Sequence, residues 1–449
     1  MADTETVDAG VKTNRVDQSG RGTEVKRRAD LVIAHAGELL TIPDGSRKPK
    51  TGPAMQELGI IKDGAVAAAK GKIVAVGTTE EVLRQVALPK DPAAVVDARG
   101  KLVMPGLVDP HTHLIFAGSR ENEYLMRLQG AKYMEIMAKG GGILSTVRAT
   151  RAADEDELVE TGRKYLARML SCGATTVEAK SGYGLATEEE VKMLWAIYRL
   201  NDLQPVELAS TFMGAHAIPP EYEDDPDGYV DLLCSEMIPG VAGEGLAEFC
   251  DVFCEEGVFT VDQTRRILRT AQKYGMQLKI HADEMANTGG AELAAELGAV
   301  SADHLLKVSE KGIHALAEKG VIAVLLPGTA FSLMSKEYAP ARRMIEAGVP
   351  VALATDFNPG SSPVDSMAFI LNLACLQMKM LPAEAITAAT INAAHAVGAA
   401  DQIGSLEVGK QADIIIVDAP GHLYLAYHCG ANLVEGVVKK GKFVWRRNP

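Results

Sequence analysis

The middle of this chain, from about residue 105 to 400, alternates eight times between a short apolar segment and a stretch with helical character. Several of the apolar segments contain no polar break, as is typical of parallel strands buried on both faces. This alternation predicts an α/β fold, a (β/α)8 barrel, although strand counting leaves a doubly wound open sheet as the alternative. The expected strands are LVDPHTH, TTVEAKS, ELASTFMGAHA, DVFCEEG, QLKIHADE, AVSADH, VIAVLLPG and VALATDF.

Two helix starts carry the spacing of a capping box, in which a threonine is followed three residues later by an acid or amide. Thr187 precedes Glu190 in this way, and Thr260 precedes Gln263. In such a box each of the two side chains accepts a hydrogen bond from the other residue's backbone N–H. We therefore expect both threonines to cap helices.

Short β-branched segments punctuated by glycine occur at both ends of the chain and predict small antiparallel strands. GAVAAAKGKIVAVG and AVVDARGKLVMPG precede the barrel region, whereas QADIIIVDAP and LVEGVVKKGKFVWRR follow it. We expect the two ends to pair into one small β domain. The predicted division is a disordered polar extension at 1–28, a first β part at 29–104, the barrel at 105–400 and a second β part at 401–449.

The charge balance excludes several classes of partner. The chain carries 59 acidic and 46 basic side chains, a formal net charge of −13, which repels nucleic-acid phosphates and anionic membranes. No apolar stretch is long enough to span a membrane, and the polar N-terminus lacks the apolar segment of a signal peptide. The six cysteines are sparse, and Cys250 and Cys254 fit buried hydrophobic positions better than metal ligands. We therefore expect a cytoplasmic protein with free thiols.

Five polar side chains lie at the C-terminal ends of predicted strands, where barrel enzymes place their catalytic groups. His111 and His113 end the first strand, His281 the fifth, His304 the sixth and Asp356 the eighth. Residues i and i+2 of a strand face the same way, so the two imidazoles of the first strand can converge on one ion. Three imidazoles and a carboxylate suit Zn²⁺ or Fe²⁺, with His304 as a further ligand, a supporting group or a catalytic group.

A metal with an open coordination position lowers the pKa of water to about 7, and a nearby carboxylate can then take the proton. Asp356 and Glu284, three residues after His281, are the candidates for that carboxylate.

Weaker signals lie in the loops after the strands. Arg120, Tyr183 and His216 follow the first three strands; by themselves they are ordinary side chains, but in a barrel they overhang the mouth, where an arginine can bind a carboxylate. Lys180 fits a solvated or supporting lysine better than a carbamylated metal ligand. The turn NPGSSP at 358–363 would place its backbone N–H groups beside the metal.

The series His-x-His, His, His, Asp resembles the amidohydrolase superfamily, whose members combine a metal-bearing barrel with a β-sandwich built from both chain ends. Longer stretches resemble the branch that opens the imidazolone ring in histidine degradation, and the likeness runs from about residue 30 to the C-terminus. The extension before Ala29 has no counterpart in that family. The stretches are PHTHLIFAGSRENE, EAKSGYGL, STFMGAHAIPPEY, LKIHADE, VSADHL and ATDFNPGSSP.

The resemblance implies a homodimeric hydrolase that converts the small molecule 4-imidazolone-5-propanoate to N-formimidoyl-L-glutamate. It implies one Zn or Fe ion per subunit, held by His111, His113, His281 and Asp356. Glu284 would lie beside the attacking water, and His304 would aid proton transfer or polarise the substrate.

The resemblance also implies the substrate contacts. Arg120 and Tyr183 would bind the propionate or the ring, and His216 would polarise the ring carbonyl. Asn358, Gly360 and Ser361 would hold the substrate from the loop after the eighth strand. The competing interpretations are a deaminase or cyclic-amide hydrolase of the same superfamily acting on another ring, and a non-enzymatic scaffold.

Overall fold

The computed structural model describes residues 26–45, 47–131, 135 and 140–447. Its largest sheet has eight parallel strands, in which each strand pairs with the next along the chain. The predicted barrel is confirmed, and all eight predicted segments contribute a strand. The barrel strands are Leu107–Asp109, Ala174–Lys180, Glu207–Ala215, Phe249–Cys254, Gln277–Ala282, Ser301–His304, Ile322–Leu325 and Val351–Leu353.

The barrel closes between the segments that follow its first and eighth strands. A parallel bridge joins Thr112 to Phe357. The backbone N–H of His113 donates to Phe357 O at 2.9 Å, and that of Asp356 donates to His111 O at 3.1 Å. Closure therefore brings the predicted ligands of the first and eighth strands side by side.

Helices surround the barrel and also occupy its connections. The described α-helices are Thr79–Gln85, Glu121–Leu128, Ile143–Ala152, Glu155–Ser171, Thr187–Leu203, Pro226–Leu232, Ile238–Glu244, Val261–Lys273, Gly290–Leu297, Glu310–Lys319, Pro327–Ser332, Ala341–Glu346, Met367–Met378, Pro382–Ala388, Ile391–Ala396 and His422–Tyr427. Short 3₁₀ turns span Gly52–Gln56, Pro92–Ala94 and Pro220–Tyr222, and a π-helical turn spans Leu233–Met237. None of the helices in the described ranges is long and apolar enough to cross a membrane.

Both chain ends contribute to the second part of the fold, as predicted. A six-stranded sheet runs in the order Lys442–Arg446, Val434–Lys439, Ile414–Val417, Leu102–Pro105, Glu38–Leu40 and Ile60–Ile61. A four-stranded sheet runs in the order Lys72–Thr78, Gly64–Ala69, Leu31–Ala36 and Val95–Asp97. Apolar side chains from the two sheets, among them Ile33, Val66, Val103, Ile414 and Val438, form one buried cluster between them. This packing of two sheets around a shared core is a β-sandwich.

The predicted N-terminal extension falls mostly outside the described residues, which begin at Lys26. Within the described part, Arg27–Arg28 form a short strand paired in parallel with Val86–Ala87. Cys250 and Cys254 are buried in the core, and all six cysteines are free thiols, as expected.

One of the two predicted capping boxes is confirmed and the other is wrong. Thr260 caps the helix Val261–Lys273, and its side chain and that of Gln263 exchange the expected hydrogen bonds. The helix Thr187–Leu203 instead follows Ala186 and has no side-chain cap. The Glu190 carboxylate is turned inward, where it accepts the N–H groups of the loop at 182–185. Because the Glu190 carboxylate binds the loop after the second barrel strand, it cannot form the capping box with Thr187.

This difference between the two threonines predicts a difference in stability. We expect Thr260→Ala to lower the free energy of unfolding by about 1 kcal/mol, the usual contribution of an N-cap side chain. Thr187→Ala is the matched control and should cost less, because Thr187 donates only to the exposed Glu236. Midpoints of urea unfolding for both variants would test this, and equal losses would contradict the assignment of the caps.

Candidate metal centre

Four of the predicted ligands converge at the C-terminal mouth of the barrel. His111 Nε2 and His113 Nε2 each lie 3.5 Å from Asp356 Oδ1. His281 Nε2 lies 3.4 Å from His113 Nε2. His304 joins them, since its nearest ring nitrogen lies within 4.8 Å of ligand atoms of His111 and His281. All five side chains are buried.

The nitrogen atoms in this cluster are suited to a cation. His111 Nε2 is buried and, among the described residues, has no hydrogen-bond partner. Nε2 of His113 and of His281 face each other, an arrangement that is repulsive unless a proton or a cation lies between them. Burial holds the pKa of His111 and of His113 well below the usual value, so both rings are neutral and their lone pairs can bind a metal.

The carboxyl groups around the cluster also suit a bound cation. Burial raises the pKa of Asp303 and of Asp356 to about 6, that of Asp109 to about 7 and that of Glu284 to about 8. A divalent cation among these groups would favour their ionised forms. The residues at this mouth therefore fit a single Zn²⁺ or Fe²⁺ ion.

Buried carboxylates orient two of the imidazoles from behind. Asp303 Oδ2 lies 2.5 Å from His111 Nδ1, and Asp251 Oδ2 lies 3.0 Å from His281 Nδ1. A proton held on Nδ1 leaves the lone pair of Nε2 free for a metal. Burial alone would lower the pKa of His281, but the Asp251 carboxylate raises it above the usual value. Asp251 therefore supports a proton on Nδ1 of this ring.

Lysine side chains lie beneath these carboxylates inside the barrel. Lys180 Nζ donates to Glu178 Oε1 at 2.6 Å and to Asp251 Oδ2 at 2.8 Å, and Lys279 Nζ lies 3.8 Å from Glu178 Oε1. Lys180 has no exposed surface, so its prediction as a solvated lysine is wrong and the supporting role is the correct alternative. It neutralises the carboxylate that orients His281.

Backbone conformation at the strand ends is unusual for residues other than glycine. Asp356 has φ of 54° and His304 has φ of 74°. Such values cost free energy, and they are commonly retained where a side chain must point into a functional site. Thr329 Oγ1 donates to Asp356 Oδ2 at 2.5 Å, which fixes the carboxylate with its other oxygen toward the histidines.

Three predicted residues lie beside the ligands. The ring of His216 stacks on that of His113, with ring centroids 4.6 Å apart. The ring centroid of Tyr183 lies 5.2 Å from that of His216. Nδ1 of His216 lies 3.0 Å from Gly182 O and donates its proton there. Burial lowers the pKa of His216 to about 3, so the ring is neutral and its Nε2 is an acceptor. Glu284 Oε1 lies 3.5 Å from His304 Nδ1.

The loop after the eighth strand holds the remaining predicted contacts. Asn358 Oδ1 accepts the N–H groups of Gly360 and Ser361 at 2.8 and 2.7 Å. These two N–H groups are therefore used within the turn and are not free to bind a ligand. A Cβ on Gly360 would collide with the guanidinium of Arg120, so this backbone lies directly against the arginine. Arg120, Asn358 and Gly360 line a cavity of about 660 Å³.

The structure also places residues at the site that the sequence pattern did not indicate. Asp303 and Asp251 hold the imidazoles, Thr329 holds Asp356, and Glu178 pairs beneath them with Lys180, the one member of this group that the sequence had suggested. A signal for Asp251 was present, since it is a charged residue in the apolar segment FCDVFC. Asp303 directly precedes His304, and the sequence pattern at this strand end indicated only the histidine as a site residue.

Comparison with known proteins shows which protein family this chain belongs to. Residues 102–444 match the amidohydrolase family. An adenosine deaminase from Xanthomonas campestris, solved with bound zinc, superposes with a TM-score of 0.68 at 23% identity over 93% of each chain. Guanine deaminase from E. coli gives 0.70 at 17% identity over 93% of this chain and 99% of its own. These two structures show the shared fold alone. The chain belongs to the amidohydrolase family.

Relatives of higher sequence identity show which branch of the amidohydrolase family the chain belongs to. The imidazolonepropionase of Shouchella clausii is 56% identical over 414 residues, which cover 92% of either chain. That of Geobacillus kaustophilus is 56% identical over 414 residues, covering 92% of this chain and 97% of its own. Within the amidohydrolases, the chain therefore belongs to the imidazolonepropionases.

The carboxylate behind His111 gives a test of the centre that does not require substrate. We expect Asp303→Asn to weaken metal binding by about 10- to 100-fold, the usual effect of losing a group that orients a ligating histidine. Competition with a chromogenic chelator would measure the affinity. Asp262→Asn is the control, because the Asp262 side chain is exposed and pairs only with Arg265 of its own helix among the described ion pairs. Equal affinities in the two variants would contradict the assigned role of Asp303.

Proposed function

We propose that this enzyme hydrolyses 4-imidazolone-5-propanoate to N-formimidoyl-L-glutamate with one Zn or Fe ion per subunit. The observation that carries the proposal is the 56% identity to imidazolonepropionases over nearly the whole chain. The buried cluster of imidazoles and carboxylates supports the metal dependence. In this reaction water adds to the ring carbonyl carbon, the C–N bond of the cyclic amide breaks, and the ring nitrogen leaves with a proton.

His111, His113, His281 and Asp356 would hold the ion. When bound, the ion would supply the positive charge that lowers the pKa of water toward about 7 and draws electrons from a carbonyl oxygen. Asp303 and Asp251 keep the Nε2 lone pairs of His111 and His281 directed inward.

Glu284 is the group that we assign to proton transfer. Its carboxyl lies 3.5 Å from His304 Nδ1. It is also close enough to the ligand cluster for the charge of Asp356 to contribute to its raised pKa, after burial. As a carboxylate it can take a proton from the attacking water, and as a carboxylic acid it can return that proton to the leaving ring nitrogen. His304, whose two ring nitrogens have no hydrogen-bond partner among the described residues, is placed to orient the water or the carbonyl.

The tautomer of His216 points to an acceptor role. Because its Nδ1–H donates to Gly182 O, Nε2 of the neutral ring suits an N–H of the imidazolone. Polarising the ring carbonyl, the role implied by resemblance, would require a second proton on a ring whose pKa burial lowers to about 3. We therefore assign His216 to recognition of a ring N–H, with Tyr183 packed beside it.

Arg120 supplies the positive charge for the propionate. Its guanidinium lines the cavity beside the eighth-strand loop and is held by Glu123 Oε2 at 2.7 Å. Its Nε is buried and has no partner among the described residues, so a donor remains for a ligand. The backbone of Gly360 lies against the same guanidinium, and Asn358 and Ser361 fix that turn.

The homodimer and the cytoplasmic location stay predictions from sequence.

Direct assay tests the function. We expect the purified protein to remove the ultraviolet absorbance of 4-imidazolone-5-propanoate, to lose this activity after chelation and to regain it on addition of Zn²⁺ or Fe²⁺. A panel of other cyclic amides and aminated bases provides the comparison. Turnover of a panel member but not of the imidazolone, by metal-replete protein, would contradict the proposed substrate.

The propionate contact predicts a separate kinetic effect. Loss of a charge-assisted hydrogen bond costs about 1.5–3 kcal/mol, so we expect Arg120→Ala to raise KM by about 10- to 100-fold. Metal content should stay at the wild-type value, since Arg120 is not a ligand. Arg163→Ala, which removes an exposed arginine from a helix surface, is the control. A wild-type KM in Arg120→Ala would remove this residue from the substrate site.

A further inference from the structure

The loop that follows the fifth barrel strand carries Glu284, but little holds the Glu284 side chain itself. Among the described residues, its carboxylate makes no hydrogen bond, and its single ion-pair contact is His304 Nδ1 at 3.5 Å. A proton-transfer group must lie within about 3 Å of the proton that it moves. The position of Glu284 must therefore be set mainly by its backbone.

Glu255, at the end of the neighbouring fourth strand, binds that backbone. Its Oε2 accepts the N–H of Glu284 at 3.1 Å and that of Met285 at 2.9 Å. Its Oε1 accepts the N–H of Ala286 at 3.2 Å and that of Glu256 at 3.0 Å. One buried carboxylate thus gathers three successive N–H groups of the loop that carries Glu284.

The other end of the loop is held separately. The Asp283 carboxylate accepts N–H groups from 288 to 291, which fastens the loop to the start of the helix Gly290–Leu297. Asp283 therefore anchors the exit of the loop, whereas Glu255 alone bonds the N–H of Glu284. Glu255 is 2% exposed and has no contact with the histidine cluster in the described hydrogen bonds and ion pairs.

We propose that Glu255 is a positioning residue for the hydrolysis: its carboxylate fixes the backbone of Glu284 and so aims the Glu284 side chain at the reacting water and ring nitrogen. This inference rests on the proposed function, in which Glu284 transfers the proton. A displacement of about 1 Å at a reacting group can reduce turnover about 100-fold, so the loss of this clamp should act on kcat.

Two substitutions change the clamp in different ways. Glu255→Gln replaces one acceptor oxygen by an NH₂ group, which opposes the loop N–H groups and removes the negative charge. Glu255→Asp keeps the charge and both oxygens but withdraws them by one methylene. Glu256→Gln is the matched control, since Glu256 is the exposed neighbour and contributes only its backbone N–H.

The kinetic test compares these variants with the metal-loaded wild-type enzyme in the imidazolone assay. We expect Glu255→Gln to lower kcat by about 10- to 100-fold, with less than about a threefold change in KM and with unaltered metal content. Glu255→Asp should lose less, and Glu256→Gln should behave as wild type. If Glu255→Gln does not yield folded protein, Glu255→Asp carries the test. A wild-type kcat in the folded Glu255 variants would overturn the proposal.

Combination with Glu284→Gln separates positioning from a general structural role. If Glu255 acts through Glu284, then adding Glu255→Gln to Glu284→Gln should cause little further loss in single-turnover rate, because residues that act as a unit are not additive. An equal further loss in both backgrounds would overturn the positioning role while leaving the proposed function intact. Full activity of Glu284→Gln alone would instead overturn the proton-transfer role of Glu284 and this inference with it.

Discussion

The site depends on the closure of the barrel between its first and eighth strands. Two backbone hydrogen bonds, from His113 to Phe357 and from Asp356 to His111, join segments that are more than 240 residues apart in the chain. They place the His-x-His pair and the carboxylate at one edge with no loop between them. Because the ligands lie at strand ends and not on long loops, their spacing is fixed by the same hydrogen bonding that builds the sheet.

Behind the ligands, charge is arranged in layers. The imidazoles of His111 and His281 face the mouth, buried carboxylates lie against their Nδ1 atoms, and the ammonium of Lys180 lies between Asp251 and Glu178. Removing one partner of such a group leaves an uncompensated buried charge, which costs far more than an exposed ion pair contributes. The mouth therefore combines a rigid floor with only its innermost nitrogen and oxygen atoms directed at an ion.

The barrel and the positions of the ligands could be predicted because parallel strands end at a common edge. A histidine or aspartate that directly follows a buried strand segment therefore lies at the mouth of the barrel. Side-chain contacts to the backbone N–H groups of a distant loop could not, since every residue except proline supplies such an N–H and the sequence pattern carries no trace of the contact. Glu190 illustrates this: its spacing from Thr187 matches a capping box, yet its carboxylate binds the loop at 182–185. Glu255 escaped notice for the same reason.

The shared six-stranded sheet has a consequence for synthesis of the protein. Leu102–Pro105 is made early, but its partner Ile414–Val417 follows some three hundred residues later. Until the ribosome has released nearly the entire polypeptide, one edge of the early strand has no neighbour and exposes unpaired amides and apolar side chains. A nascent chain stalled after the barrel would leave this sheet edge open, which makes late translation the period of greatest risk of aggregation.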